Sequence, residues 1–327
     1  MGKRTNKKRK KIDKGKGQVC VERNLPRERI IMKTRLISGI VYVAILTIAY
    51  ALKALVHDLC FDLLIYAFAL IGTSEIVKAV GDRLTKAQKV LVYAFAIVCI
   101  PFVAVAELYR LGVQTTSVCF LVFAVLSFCL FVLKHEETTP ENVGMSFFCA
   151  VYPTLMLVPL VLVNHIVDTP TMEKYAFNSN LAVLLILAIS PISDTFAYLF
   201  GKFLRGKFPK KMAESISPNK TVIGGIGGIV GGIVGGAVVY FIYNALFGSF
   251  DEMLVWLLVY IAIGVVASVA NAFGDLVESG IKRKIGIKDM GKIMPGHGGI
   301  LDRIDGTLFA TITVYLVFVV VALVTGI

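Results

Sequence analysis

Residues 114–133 read QTTSVCFLVFAVLSFCLFVL, twenty residues without a charged side chain. A helix of about 20 apolar residues crosses the roughly 30 Å hydrocarbon core of a membrane. The stretch does not alternate between apolar and polar residues, as the strands of a membrane barrel do. It therefore predicts a membrane-spanning helix.

Similar apolar runs recur along most of the 327-residue chain, which is 57% hydrophobic and has a mean hydropathy of +0.78. This composition overrides the two soluble domains that length alone would suggest. We predict an all-α polytopic membrane protein with nine spans. The expected spans are residues 36–56, 59–80, 90–112, 114–133, 143–166, 180–200, 221–248, 253–278 and 307–326.

The basic residues indicate how these spans are oriented. If the N-terminus is cytoplasmic, 31 of the 34 Lys and Arg residues fall on the cytoplasmic side, and only Lys53, Arg110 and Lys174 fall outside. Membrane proteins keep an excess of Lys and Arg in their cytoplasmic loops. We therefore expect a cytoplasmic N-terminus and an external C-terminus. The net charge of +12 follows from this placement, so we predict no nucleic-acid partner.

Composition divides the chain into three regions. Residues 1–35 carry 14 basic residues and few apolar ones, and we expect a disordered cytoplasmic tail. Residues 36–166 supply five spans with few ionisable groups, and we expect a scaffold. Residues 180–327 supply four spans with polar residues toward one side, and we expect the catalytic region there, with cytoplasmic loops at 201–220 and 279–306.

The first polar segment of the second half lies around Asp194, within the sixth predicted span and just after a proline. An acid at membrane depth is costly and faces the bundle interior or water, so it is a functional candidate. The structural alternative is that Ser or Thr side chains at the proline kink satisfy it. The following loop ends in SPNKT, residues 217–221, at a helix start suited to anion binding. Its candidate residues are Ser217, Asn219 and Lys220.

Glycines recur four residues apart in GGIGGIVGGIVGGA, residues 224–237. A phosphate-binding loop is one interpretation of this pattern. We favour a helix surface made smooth for close packing, because Ile and Val fill the other positions over the length of a span.

A second polar group lies where the eighth predicted span leaves the membrane. Asp275 is four residues after Asn271 and three before Glu278, so the three side chains share one helix face. Surface ion pairs stabilise little, and Asp275 precedes the nearby bases by a turn, so we favour a functional role over salt bridging. The polar residues that follow are Ser279, Lys282, Arg283 and Lys288.

The third polar group is GKIMPGHGGILDRIDG, residues 291–306, which carries more glycine and charge than a connector between two spans needs. Asp302 and Asp305 are three residues apart, with Arg303 between them. The glycines allow backbone N–H groups to approach a ligand closely. His297 is a candidate hydrogen-bond donor or proton carrier.

These three polar groups share one kind of chemistry. Carboxylates suit Mg²⁺, which is held by one or two of them together with substrate phosphates. Lys, Arg and helix N-termini suit the phosphates themselves. The residues therefore predict a membrane enzyme that handles a phosphorylated or nucleotide substrate with Mg²⁺ at the cytoplasmic interface. A Walker A loop is absent from the sequence.

The stretch SGIKRKIGIKDMGKIMPGHGGILDRID, residues 279–305, resembles the motif of the phosphatidate cytidylyltransferase, or CDP-diacylglycerol synthase, family. That motif runs S-x-x-K-R-x4-K-D, then H-G-G, then D-R-x-D. The stretches GDLVES (274–279), SDTFAYLFGK (193–202) and SPNKT (217–221) resemble further elements of the family in the same order. One departure is Ile223, which stands where the family often has Glu.

The resemblance implies the condensation of CTP with phosphatidate to CDP-diacylglycerol and pyrophosphate in phospholipid biosynthesis. It also implies Mg²⁺, a second cation as an open option, a homodimer and a multi-pass membrane location with the active site on the cytoplasmic side. The implied metal ligands are Asp275 and Asp302, with Asp194 and Asp305 as second candidates. The implied catalytic residues are Asp275, Asp302, Lys282, Arg283 and His297. The implied substrate-binding residues are Ser217, Asn219, Lys220, Ser279, Lys288 and Arg303.

Three other functions stay open. CTP-dependent polyprenol kinases and CDP-archaeol synthases have related motifs. An ion-coupled transporter, with Asp194 and Asp275 as ion sites, is more distant. An inverted repeat would place polar residues in both halves of a transporter, whereas here they lie in the second half.

Overall fold

A computed structural model describes residues 25–166, 179–247 and 253–325 of the chain. Within these ranges, nine helical segments are long and apolar enough to cross a membrane, so the predicted number of spans is confirmed. The predicted tail lies outside the described residues up to residue 24. Residues 25–35 form the first turns of the first helix.

Five spans form the first half. The fifth is broken in the middle, where Tyr152 leaves helical geometry and Pro153 lacks the N–H group that a regular helix bonds. The elements are α1 (Leu25–Leu55), α2 (Leu59–Val80), α3 (Lys86–Glu107), α4 (Gly112–Leu133), α5 (Pro140–Cys149), a π-helical segment (Ala150–Leu155) and α6 (Met156–Asn164).

The described residues of the second half form four long helices and one small hairpin. Its elements are α7 (Ser179–Leu204), β1 (Lys211–Ala213), β2 (Ser217–Thr221), α8 (Val222–Phe247), α9 (Met253–Ile285) and α10 (Leu301–Thr325). The expected loop at 279–306 is shorter than predicted, because α9 continues to Ile285 and α10 begins at Leu301. The basic residues at the end of α9 favour this extension, since cations stabilise the C-terminus of a helix.

The glycines of α8 let it pack tightly between α7 and α9. A Cβ atom on Gly231 would lie 2.8 Å from the Cα atom of Ser193 in α7. A Cβ atom on Gly232 would lie 2.3 Å from the carbonyl oxygen of Gly264 in α9. Neither site has room for a methyl group, so the favoured interpretation of this segment as a packing surface is confirmed.

The core lies among α2, α3, α6, α7 and α10, where large apolar side chains such as Phe61, Ile186 and Leu301 are fully buried. In contrast, α1 and α4 expose apolar side chains such as Ile40 and Val118. Apolar surface of this kind suits the hydrocarbon of a membrane, because lipid tails are as apolar as the side chains.

A polar network closes the end of the bundle where α1 meets α2. The Lys53 ammonium pairs with Asp58 and donates to the carbonyl oxygen of Asn164 at 3.1 Å. His165 lies 2.5 Å from an oxygen of Asp62. Burial opposes the charged imidazole, but the hydrogen bond and charge of Asp62 outweigh it and raise the pKa of His165. These contacts join α1, α2 and α6 at the end of the bundle far from the loop at 286–300.

Candidate active site

Several of the predicted site residues line one cleft of about 670 Å³. Asp194 faces it from α7 and Asp275 from α9, while Asn219 and Lys220 face it from β2. Its other cationic residues are Lys202 and Arg205. The cleft thus combines two carboxylates with a surplus of positive charge, and we call it the basic cleft.

The hairpin holds Lys220 in place. Strand β2, which is the SPNKT segment, pairs antiparallel with β1, and α8 begins directly after it at Val222, so the helix start predicted at this segment is confirmed. The Thr221 hydroxyl accepts a hydrogen bond from the N–H group of Gly224 at 3.1 Å and so caps the first turn of α8. Lys211 donates to the carbonyl oxygen of Pro218 and ties the hairpin together. Lys220 is therefore fixed directly before α8.

Lys220 and Asp275 form an ion pair across the basic cleft. The side chain of Asp275 is 36% exposed and that of Lys220 is 25% exposed, so a ligand can reach both. The second oxygen of Asp275 accepts a hydrogen bond from Ser279 at 3.4 Å. The predicted residues Lys220, Asp275 and Ser279 therefore meet in space, although the first two are 55 positions apart in the sequence.

Asp194 is held by Asn271. The amide group of Asn271 donates to Asp194 at 2.8 Å, and its oxygen accepts a hydrogen bond from Ser190. Gly306 of α10 passes against the same amide, where a Cβ atom would lie 2.1 Å from the Asn271 oxygen. The hydrogen bond to Asp194 thus comes from α9 and not from Ser or Thr at the proline kink.

A buried ion cluster lies beside the basic cleft. The Lys282 ammonium contacts Glu278 at 2.5 Å and Asp302 at 2.8 Å, with 0% of the Glu278 side chain and 5% of the Asp302 side chain exposed. The other oxygen of Asp302 accepts hydrogen bonds from the N–H groups of Met290 at 2.9 Å and Gly299 at 2.8 Å. Asp302 therefore links α9, α10 and the loop that joins them.

That loop, residues 286–300, makes a tight turn around His297. Gly296 and Gly298 have φ angles of +78° and +90°, which glycine adopts without steric cost. The Nδ1 atom of His297 is 2.7 Å from the Ser38 hydroxyl of α1. Partial burial and the charges of Arg303 and Arg35 lower the pKa of His297, so the imidazole is neutral at pH 7.

A second cationic cleft, of about 680 Å³, opens next to this turn. We call it the loop cleft. Its basic residues come from α1, the loop and α10, and one acid, Asp289, lies among them. The basic residues are Arg35, Lys288, Lys292 and Arg303.

An apolar groove of about 450 Å³ runs from the loop cleft into the membrane-spanning part of the bundle. Its walls carry apolar residues of α1, α2, α6 and α7, including Leu46, Phe61 and Leu184. Its polar residues include His297 and Arg303, which also line the loop cleft. Asp194 lines both this groove and the basic cleft, so the two cavities meet at that side chain.

Six predicted site residues do not line these cavities: Ser279, Lys282 and Asp302, whose contacts are given above, and Ser217, Arg283 and Asp305. Ser217 pairs with Ala213 in the hairpin. Arg283 is exposed and donates to the carbonyl oxygen of Ile216 at 3.4 Å, which ties α9 to the hairpin. Asp305 accepts a hydrogen bond from the N–H group of Gly306 at 2.8 Å, close to the negative charge of Glu278.

The carboxylates fit a magnesium ion only in part. Among the described residues, no three His, Cys, Asp or Glu side chains could hold a metal ion together. Asp194 and Asp275 face one cleft, and two carboxylates with phosphate oxygens are a usual donor set for Mg²⁺. Both oxygens of Asp302 already accept hydrogen bonds, so ligation there would require Lys282 or the loop to release one. A ligand role for Asp302 or Asp305 stays a prediction.

The first half, which was expected to be a scaffold, also contributes residues to the site, and the sequence did not predict them. Arg35 lines the loop cleft and Ser38 holds His297. The Glu75 carboxylate accepts hydrogen bonds from the N–H groups of Ile300 and Leu301. Glu75 did carry a signal, because it is an acid at membrane depth, as Asp194 is.

Among the described residues, nine helices suited to cross a membrane and a cation-lined cleft with two carboxylates fit the class of multi-pass membrane proteins with a site for phosphate groups. Residues 33–321 match the model of the cytidylyltransferase family. That match covers most of the chain, so the protein belongs to this family, and the resemblance read from the motifs is confirmed.

Three curated relatives are each called phosphatidate cytidylyltransferase. The proteins of Staphylococcus haemolyticus and Staphylococcus aureus (strain COL) are each 43% identical to this chain, and that of Staphylococcus saprophyticus is 44% identical. Each similarity extends over 127 residues, which are 39% of this chain and 45% of the relative. The chain therefore spans about half the length of the curated relatives it matches.

Proposed function

We propose that the protein is a phosphatidate cytidylyltransferase, which condenses CTP with phosphatidate to give CDP-diacylglycerol and pyrophosphate. One observation carries the proposal. Asp194 lines both the basic cleft and the apolar groove, so a nucleotide in the cleft and a lipid in the groove would meet beside it. The printed names of the relatives support the same reaction.

The basic cleft would take CTP. Lys220 and the other bases of the cleft would bind the triphosphate oxygens, and Asn219 would donate a hydrogen bond to them. Asp194 and Asp275 would hold Mg²⁺, which would offset the negative charge of the phosphates and orient them for attack. Lys220 would then contact a phosphate of the nucleotide in addition to Asp275, with which it forms an ion pair.

The groove would take the acyl chains of phosphatidate, and Arg303 at its mouth would bind the lipid phosphate together with Arg35 and Lys292. A phosphate oxygen of the lipid attacks the α-phosphorus of CTP, and the bond from that phosphorus to the bridging oxygen breaks. Pyrophosphate leaves with both electrons of that bond. Two anions must approach, so the cations of both clefts lower the barrier, and no covalent enzyme intermediate is needed.

A direct test uses the full chain in detergent with CTP, Mg²⁺ and phosphatidate, and measures pyrophosphate release that depends on the lipid. We expect Asp275→Asn and Asp194→Asn each to lower kcat roughly 100-fold, the typical effect of removing one preorganised electrostatic group. Glu136→Gln, in an exposed loop, is the matched control and should keep full activity. Full activity of both aspartate variants would refute this site.

The same assay separates the alternatives. Release of CDP instead of pyrophosphate would indicate a CTP-dependent polyprenol kinase. Pyrophosphate release with an archaeal ether-lipid phosphate but not with phosphatidate would indicate a CDP-archaeol synthase. Absence of any turnover, with ion flux in proteoliposomes that Asp194→Asn abolishes, would favour the transporter.

The proposal includes a cytoplasmic active site and a homodimer. The cytoplasmic side is supported by the 31 basic residues that the expected topology places there, which include those of both clefts. The homodimer is supported only by the family resemblance. Its test is the mass of the protein in detergent, corrected for bound detergent, and a monomeric mass would exclude it.

A further inference from the structure

Glu75 is a buried acid whose role the reaction described above leaves unexplained. It lies in α2, outside every motif that carries the family resemblance, and is 5% exposed. One carboxylate oxygen accepts a hydrogen bond from the N–H group of Ile300 at 3.0 Å. The other oxygen accepts one from the N–H group of Leu301 at 2.9 Å. The carboxylate thus meets the first turn of α10.

The first N–H groups of a helix have no acceptors within the helix and are usually capped by a nearby side chain. At the start of α10 the chain offers Gly299 and Ile300, and neither side chain can accept a hydrogen bond. The Glu75 carboxylate accepts these hydrogen bonds instead, although its helix lies 225 positions earlier in the sequence. Its negative charge also suits the positive end of the helix dipole.

Two glycines of the loop make room for this carboxylate. A Cβ atom on Gly291 would lie 2.1 Å from an oxygen of Glu75, and one on Gly299 would lie 2.3 Å from the same oxygen. Even alanine at either position would push the carboxylate away from α10. The glycine-rich character of the loop is therefore explained in part by a protein carboxylate and not by a ligand.

The capped turn carries residues that shape the site. Asp302 follows Leu301 directly and holds Lys282 and two loop N–H groups. Arg303 comes next and lines both the loop cleft and the apolar groove. The basic cleft is built differently, since its two carboxylates come from α7 and α9 and its Lys220 from the hairpin.

We propose that Glu75 is a positioning residue: by capping α10 it fixes the loop and Arg303, and so sets the geometry of the lipid side of the site. The activity part of this inference rests on the proposed function. Because the basic cleft does not depend on α2, loss of the cap should affect phosphatidate and leave CTP binding unchanged. If Glu75 were needed only for general stability, its substitution would affect phosphatidate and CTP alike.

The test compares Glu75→Gln with wild type and with Asp82→Asn, an exposed acid just after α2. Glutamine has the same size but offers one acceptor and one donor, so it places a donor opposite one of the two N–H groups. We expect the KM for phosphatidate to rise roughly tenfold, as the loss of a hydrogen bond to a charged group would give. The KM for CTP should stay within twofold of wild type, and Asp82→Asn should change neither constant. Equal effects on both substrates, or no effect on either, would overturn the positioning role.

Hydrogen–deuterium exchange tests the cap without relying on activity. Peptides that cover residues 290–305 should exchange faster in Glu75→Gln and faster still in Gly299→Ala, while peptides of the hairpin at 211–221 should not change. Unchanged exchange at 290–305 would refute the cap itself. Faster exchange there in a protein that does not turn over phosphatidate would uphold the cap and refute the proposed function.

Discussion

His297 shows how much a single side chain in this site depends on other elements. It lies in the loop before α10, but its hydrogen bond goes to Ser38 of α1, and the same hydroxyl is 3.0 Å from the carbonyl oxygen of Pro295. Partial burial and the charges of Arg303 and Arg35 lower its pKa. We therefore expect an imidazole that is mainly neutral at pH 7 and supports the turn.

The lowered pKa predicts a pH effect with a definite sign. The folded protein binds this proton less readily than the unfolded chain, whose histidine pKa is about 6.5. The neutral imidazole therefore contributes stability above that value, and the contribution is lost as pH falls through the folded pKa. Histidine-selective ¹³C NMR, assigned with His297→Gln, should show a midpoint below 6.5, and Arg303→Gln should move it upward. A midpoint above 6.5 in the wild type would contradict this.

Some residues and contacts of the site could be predicted from the sequence and others could not, for a physical reason. Asp194, Asp275 and Lys220 could be predicted because each is a charged side chain inside a span or at its mouth, where charge is costly. Glu75 was not predicted, and Asp302 was predicted as a metal ligand and catalytic residue but not for its hydrogen bonds; both carboxylates bind backbone N–H groups. Every residue except proline has such a group, so residue identities do not reveal which one an acid will meet.

At the scale of elements, the close packing of α8 depends on the absence of side chains at its glycine positions. Its glycines remove side chains on two faces, toward α7 and toward α9. Gly232 and Gly264 face each other, and a Cβ atom on Gly264 would lie 2.2 Å from the carbonyl oxygen of Gly232. The obstacle on each side is backbone, which cannot rotate away as a side chain can.

This contact predicts a large difference between two glycine substitutions. Gly232→Ala forces α8 and α9 apart and should cost about 1–3 kcal/mol, the usual range for overpacking. Gly144→Ala is the matched control, because it lies within a helix and a Cβ atom there meets nothing within 4 Å. It should be neutral or slightly stabilising, since alanine favours helices. Thermal unfolding in detergent measures both, and equal melting temperatures would refute the packing argument.

The elements themselves followed from the sequence wherever hydropathy decided them. The nine spans among the described residues could be predicted, because each contains a long apolar run. Their ends could not, since polar residues at the membrane surface fit either a loop or a helix that continues into water. Thus residues 279–285 extend α9, and residues 217–221 form a strand directly before α8 where a loop was expected.

At the scale of the whole molecule, the site draws on both halves of the chain. The groove has walls from α1, α2 and α6 as well as α7 and α10, and the loop cleft takes Arg35 from α1. The division into scaffold and catalytic region describes where the charged motifs lie in the sequence. It does not describe how the cavities are built, because packing brings together helices that are far apart in the chain.

The distribution of charge predicts the orientation of the whole protein. In a variant whose native cysteines are replaced, Arg110→Cys and Lys292→Cys place single thiols at exposed positions in two different loops. In intact cells, a membrane-impermeant maleimide should label residue 110 at once and residue 292 only after permeabilisation. The reverse order would show that both clefts open outside, where no cytoplasmic nucleotide could reach them.

The cap that Glu75 places on α10 also has a consequence for biosynthesis. The ribosome makes Glu75 long before Leu301, so for most of translation the acid sits in a membrane span without the N–H groups it will bind. A partnerless carboxylate makes a span costly to insert. We therefore expect α2 to be stably inserted in the lipid only after the chain beyond residue 300 has emerged from the ribosome. Before that point, α2 should insert late or move in and out of the lipid.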